Sequence, residues 1–296
     1  VHNAVERALD DVAPDVAKCY RDYRNYKQDF VHMLDDVYRK SQAIRYIGDR
    51  NNANTDSALV PTQRSLIYNE LSSALYKKFF LNREEREAMK DGYIYIHDRS
   101  ARLDTMNCCL FDMENVLTGG FEMGNVWYNE PKTLDVAFDV ISDVAISAAA
   151  CQYGGFTIPE VDKILAPYAE KSYQKYFEEY TEIAVYNNLG DHEDVLTAAD
   201  EYAVKKVQRD MEQGFQSWEY RFNTVGSSRG DYPFIAVSFG LDNSRFGRMA
   251  SMTCMNVRAG GQGAAGHKKP VLFPKLTFLY DEELHGEGKP MEDVFE

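Results

Sequence analysis

The chain is 296 residues long with 44% hydrophobic and 27% charged residues, enough for one large domain or two ordinary ones around a real core. Its formal net charge of -14 argues against a dedicated nucleic-acid or anionic-membrane surface, since both need clustered Lys and Arg. No apolar run approaches the roughly 18–20 residues of a membrane span and no basic-plus-apolar leader opens the sequence. Five cysteines at irregular spacing, without a CxxC, make neither a disulfide framework nor a tetrathiolate zinc site, so a soluble protein of the reducing cytoplasm is expected.

Residues 1–47 read as helix. Val5, Ala8, Leu9 and Val12 recur at helical spacing, and after Pro14 neither glycine nor proline interrupts the run to Ile47. Residues 46–65 form a polar Asn- and Asp-rich loop. A second helical block starts at Ser65 and is closed by Gly92. The period then changes: YIYIHD, 93–98, alternates tyrosine and isoleucine, the pattern of a strand. His97 ends that run, with Asp98 beside it as a turn or cap residue. A lone histidine there reads equally as a structural group.

Cys108 and Cys109 follow. Adjacent residues of a strand point to opposite faces, so at most one of the two thiols shares a face with any one site. A vicinal disulfide would need strained geometry and is not expected. In a core, cysteine is simply a small hydrophobe, so composition leaves both the functional and the packing role open.

LTGGFEMGN, 117–125, is a glycine-rich turn region. Residues 131–150 make an amphipathic helix with Leu134, Ala137, Ile141, Val144 and Ala148 on one face. Asp135, Asp139 and Asp143 form a stripe on it that reads as a solvated face rather than a cation site. Thr157 and Glu160 have capping-box spacing at the start of the next helix, which runs to about Asn187 through a kink at Pro167. Tyr168, Tyr173, Tyr176 and Tyr180 on that helix read as packing residues before base-stacking ones. Residues 190–220 are helical and acidic, and 229–241 are strand-like again.

RAGGQGAAGHKKP, 258–270, carries glycines and two lysines but no GK[ST], so it reads as a connection rather than a phosphate loop. VLFPKLTFLY, 271–280, is a further strand candidate, and KPMEDVFE reads as the opening of a helix. Helices alternating with separated strands indicate an α/β fold. No internal repeat is present. The start at Val1 and the stop at a helix opening suggest cut ends.

As whole phrases, DGYIYIHD (91–98), MNCCLFDMENVLTGGFEMGN (106–125), QYGGFTIPEVDKILAPY (152–168), FNTVGSSRGDYPF (222–234) and KKPVLFPKLTFLYDEELHGEG (268–288) resemble the anaerobic (class III) ribonucleoside-triphosphate reductases, a glycyl-radical family. The phrases come in the family order and the similarity extends over nearly the whole chain. The fold this implies is half of a ten-stranded α/β barrel preceded by helices. Residues 1–30 would be the remnant of an ATP-cone and connecting helix, and 31–296 the N-terminal half of the catalytic barrel.

The chemistry implied is reduction of a ribonucleoside triphosphate by a thiyl radical, itself made by a glycyl radical. By motif, Cys108 matches the thiol that supplies hydrogen to the sugar, acting as S–H. Asn107 matches a polar residue lining the substrate pocket and His97 a site histidine, while Cys109 is taken as packing.

The family further implies a zinc site, ATP and dNTP effectors, formate as reductant, a radical-SAM iron–sulfur activating enzyme and a homodimer. This sequence has no Met-Gly-Cys, no cysteine cluster and no Arg-x-x-Gly-Tyr, so the chain alone is expected to be inactive. Two alternatives stand beside this reading: a formate-lyase-like acyltransferase in which both adjacent cysteines act, and a non-catalytic nucleotide-binding remnant.

Overall fold

A computed structural model of the chain describes residues 1–47, 59–102, 106–152, 154–224 and 234–296, in two compact units, 1–104 and 105–296. The expected 46–65 loop and the 222–234 phrase lie largely outside the described residues.

The first unit contains α1 (His2–Val12), α2 (Pro14–Ile47), α3 (Val60–Phe79), α4 (Arg83–Lys90) and a 3-10 turn at Arg99–Ala101. The helix expected over 1–47 is thus broken once, at Ala13. Pro14, which lacks an N–H, then opens α2, the position where that loss costs nothing. α2 runs unbroken through residue 30. The second block is two helices, not one. α3 starts at Val60, before Ser65, with Pro61 in its first turn. α4 has its own capping box: the Asn82 side chain accepts from Glu85 N–H at 2.9 Å, and Glu85 accepts from Asn82 N–H at 2.7 Å.

Charge pairs join these helices. Arg21 reaches both Asp10 oxygens at 2.7 Å, and Lys40 reaches Glu70 at 2.6 Å. Among the described residues of this unit the buried apolar side chains are Ala17, Leu81 and Ala101.

The strand expected over YIYIHD does not form. Among the described residues 93–96 pair with no strand. Their start folds back on α4 instead, Tyr93 N–H donating to Ala88 O at 2.9 Å. The alternation lacks what a strand needs, a partner ladder and one covered face: Tyr93 and Tyr95 are 84% and 81% exposed and Ile94 is also exposed.

The second unit is built on a parallel four-stranded sheet, in the order β1 (Cys109–Leu110), β4 (Phe156–Ile158), β5 (Ile235–Phe239), β6 (Lys275–Phe278). Parallel neighbours need crossover connections, and helices supply them. α5 (Met113–Leu117), a hairpin of β2 (Phe121–Met123) and β3 (Val126–Tyr128), and α6 (Leu134–Ala150) join β1 to β4. α7 (Val161–Asn187) and α8 (His192–Thr224) join β4 to β5, and α9 (Arg245–Gly260) leads to β6. Short helices α10 (Glu282–His285) and α11 (Glu292–Phe295) follow. The architecture is α/β, mostly helical, with one parallel sheet. The turn region expected at 117–125 is the hairpin, whose Gly124–Asn125 loop uses Gly124 at φ 64°.

The core lies between the sheet and its helices. Phe156, Ile158, Ile235, Val237 and Phe239 from the strands meet Leu134, Ala137, Ile141 and Val144 of α6 and Phe215, Trp218 and Phe222 of α8 in one buried cluster. The fully buried Trp218 still satisfies its ring N–H, donating to Phe138 O at 3.0 Å.

The capping box expected from Thr157 and Glu160 is absent. Thr157 is a residue of β4, paired with both Leu110 and Ala236, so its backbone is committed to the ladder. Glu160, at φ 51°, is the N-cap of α7, and its N–H donates to Ser238 Oγ at 3.0 Å. In the first turn of α7, Asp162 is fully buried and accepts the N–H groups of Gly240 and Asp242 at 2.9 and 3.0 Å, fixing the exit of β5.

Candidate active-site edge at Asn107 and Cys108

Cys108 lies immediately before β1, at the edge where the chain enters the parallel sheet. Its side chain is exposed. Two contacts hold the sulfur: Gly155 N–H donates to Sγ at 3.3 Å, and Sγ lies 3.6 Å from Asn107 Oδ1. The backbone around it is fixed by Gly154 N–H to Asn107 O at 2.6 Å and Cys109 N–H to Gly155 O at 3.1 Å. Asn107 and Cys108, both singled out from sequence, therefore stand side by side with a carboxamide oxygen beside a thiol.

Cys109 differs from its neighbour. It is partly buried, packs against the core cluster, and its sulfur is 2.7 Å from Nε2 of the buried Gln152. The pleat accounts for this: one residue along a strand turns the side chain to the other face.

His97 belongs to the first unit. Its side chain is 74% exposed, and Nδ1 lies 2.5 Å from Asp98 Oδ2. Asp98 takes a left-handed backbone (φ 52°) to start the 3-10 turn, which a short polar side chain tolerates.

Sequence reasoning overlooked three residues at this edge: Gln152, Gly154 and Gly155. The available signal was the Gly-Gly pair directly ahead of an apolar strand, a sign of close backbone approach.

The other constellations resolve into structure. Asp135, Asp139 and Asp143 are exposed, and Arg221 reaches Asp139 at 2.9 Å and Asp143 at 3.8 Å. Among the described residues no group of His, Cys, Asp and Glu could hold a metal ion. The α7 tyrosines pack against α8: the Tyr173 and Tyr176 hydroxyls each donate to a carboxylate, of Asp200 and Asp210, at 2.6 Å. Tyr180 stacks near Tyr202, with ring centroids 5.2 Å apart. Burial pushes the Tyr168 hydroxyl up to about 12, as befits a packed side chain.

The glycine-rich loop is pinned to α8. Buried Glu219 accepts from Arg258 Nε at 2.6 Å and from Gln262 Nε2. Asn223 Oδ1 accepts the N–H groups of Leu272 and Phe273 at 3.1 and 3.0 Å. A cavity of about 800 Å³ in the first unit is lined by residues of both charges, among them Asp36, Lys40, Glu70, Lys77, Arg86 and Arg99. None of the three site residues expected from sequence lines it.

Comparison with known proteins places the chain in a family. The family described as anaerobic ribonucleoside-triphosphate reductase matches residues 51–296. A protein of that description from Enterobacteria phage T4 is 33% identical, over 78% of this chain and 36% of its own length. One from Escherichia coli K12 is 31% identical, over 99% of this chain and 41% of its own. This chain thus spans about two fifths of the length of the curated relatives it matches. Among solved structures, the anaerobic ribonucleotide reductase of Thermotoga maritima in complex with dATP and CTP aligns at a TM-score of 0.46 and 14% identity, over 79% of this chain and 43% of that one.

Proposed function

The chain belongs to the anaerobic ribonucleoside-triphosphate reductase family, an oxidoreductase family, and from that premise we propose that it carries the part of the catalytic domain where Cys108 gives a hydrogen atom to the sugar of a ribonucleoside triphosphate. In this reading Asn107 and His97 contact the substrate. The four parallel strands belong to one five-stranded half of a ten-stranded barrel, and residues 1–30 are the end of an ATP-cone. Initiating radical chemistry would come from a glycyl radical and a second cysteine on segments whose motifs this sequence does not contain.

The observation that carries the reading is the unequal treatment of two adjacent thiols. Cys108 is exposed beside an amide oxygen, and Cys109 is drawn into the core. A hydrogen-donating thiol must be held on a fixed backbone next to the sugar, in a pocket that excludes water once closed. A backbone segment hydrogen-bonded on both sides of Cys108 meets the first requirement. An acyltransferase that needs both cysteines at the substrate is disfavoured by the same contrast.

The family premise also brings a dNTP effector, a homodimer, formate as reductant and a radical-SAM activating enzyme as partners of the whole enzyme. The decisive experiment assembles this chain with the remainder of a family enzyme and assays anaerobic reduction. Cys108→Ala is expected to abolish turnover while Cys109→Ala retains it. Loss with both would favour the acyltransferase-like use of the pair, loss with neither would remove Cys108 from the chemistry, and no turnover in the unsubstituted assembly would leave a nucleotide-binding role. That role is read directly by a thermal-shift panel of dNTPs against NTPs, where a ligand at a hundredfold excess over Kd adds about 2.7 kcal/mol.

A further inference from the structure

The segment ahead of β4 and the segment ahead of β1 are paired in two registers. Met106 bridges to Gln152, 46 positions on, whereas Cys109 pairs with Phe156, 47 positions on. Three positions therefore lie between Gln152 and Phe156 against two between Met106 and Cys109. One extra residue on one strand is a β-bulge, a device that re-aims the side chains opposite it. Those side chains are Asn107 and Cys108.

Gly154, in the bulge, lies directly under both. A Cβ there would stand 2.6 Å from Cys108 Sγ, closer still to Asn107 Oδ1, and 2.9 Å from Asn107 O. Any side chain at 154 would take the space that the carboxamide and the thiol occupy. Gly155 is not under this constraint: the nearest atom to a Cβ there is Phe234 O at 3.8 Å, an ordinary contact. The two glycines of one Gly-Gly pair thus do different things. On the other side of the bulge, Gln152 is 6% exposed and its Nε2 lies 2.7 Å from Cys109 Sγ, while its Oε1 has no partner among the described residues. The Nε2 group of this buried amide is directed at Cys109.

We propose that Gly154 and Gln152 are positioning residues that decide which of two adjacent thiols is presented: Gly154 seats the side chains of Asn107 and Cys108, and Gln152 draws Cys109 inward. The importance of this for turnover rests on the reading of Cys108 as the working thiol. The positioning itself does not, and the test keeps the two apart.

The test measures iodoacetamide labelling of this chain, resolved cysteine by cysteine by tandem mass spectrometry whose fragment ions split the chain between residues 108 and 109, together with the melting temperature. Gly154→Ala is expected to lower the Cys108-to-Cys109 labelling ratio by about threefold or more, the scale of one lost hydrogen bond, and to lower the melting temperature. Gly155→Ala should change neither.

The melting loss from Gly154→Ala should shrink when it is made in an Asn107→Ala/Cys108→Ala background, because most of the crowded atoms are then gone. Equal effects of the two glycine variants, or a loss undiminished in that background, would overturn the seat. Should Gly154→Ala fail to fold, Gln152→Met decides: the proposal expects faster Cys109 labelling in a folded protein, and an unchanged rate overturns it. A retained turnover of Cys108→Ala in the assembled enzyme would sink the functional reading and leave these labelling results standing.

Discussion

The two units are stabilised in different ways. The first buries Ala17, Leu81 and Ala101 and holds its helices with charge pairs such as Arg21–Asp10, whose side chains are 40% and 45% exposed. The second buries a contiguous cluster of aromatic and branched side chains between a parallel sheet and its helices. Exposed pairs gain little in water and are screened by salt, whereas burial of large apolar groups is the dominant favourable term in folding. The contrast teaches where rigidity is available. Cys108, the thiol for which the proposed function requires a fixed backbone, is found on the unit with a packed interior.

The sharpest way to break this comparison is Trp218→Ala. A fully buried indole in contact with Phe138, Phe215 and Phe222 should cost about 3–5 kcal/mol on truncation. Urea unfolding would read this as a lower midpoint of the main transition, and a cost under 1 kcal/mol would mean that the cluster is not what holds the second unit. Next is Glu219→Ala, which leaves the Arg258 guanidinium without its carboxylate and removes one of the ties between the glycine-rich loop and α8. A cost of about 3 kcal/mol is expected for breaking such a buried pair, with faster proteolysis within 261–270 as the local readout.

A titration comes third. Burial raises the Cys254 thiol from 9.0 to about 12. The folded state then keeps a proton that the unfolded chain releases. Stability is therefore unaffected below the unfolded value and falls as pH climbs from 9 toward about 12, at up to about 1.4 kcal/mol per pH unit. Cys254→Ala should remove this part of the alkaline slope, and an identical slope in the variant would refute it. The smallest effect belongs to the first unit: Arg21→Ala should lower helicity by circular dichroism slightly at low salt and not at all at high salt. A loss that survives high salt would show that α1 is held by something other than charge.

The helices were legible in the sequence where their pattern was local. Leu134, Ala137, Ile141 and Val144 predict the buried face of α6, and α7 ends at Asn187 as its spacing predicts. Strands were legible only when some neighbour covered them. VLFPKLTFLY contains β6 because β5 lies beside it, while YIYIHD, though alternating, pairs with no strand among the described residues. Thr157 and Glu160 match a capping box in spacing, yet the ladder claimed Thr157 first.

At the site, Asn107 and Cys108 could be named from their phrase, and the alternation of a strand already implied that Cys109 faces elsewhere. Gly154 and Gln152 could not be given a role, because they act on residues more than 40 positions away, 43 in the case of Gln152 and Cys109, along a register that only pairing sets. By itself, then, the sequence determined the family, from matched phrases, and the buried face of α6 and the end of α7, from short-range pattern. Which segments became strands, where the bulge falls and which glycine must stay bare were decided by the tertiary structure, because a hydrogen-bond ladder and a close approach exist only between parts of the chain brought together by folding.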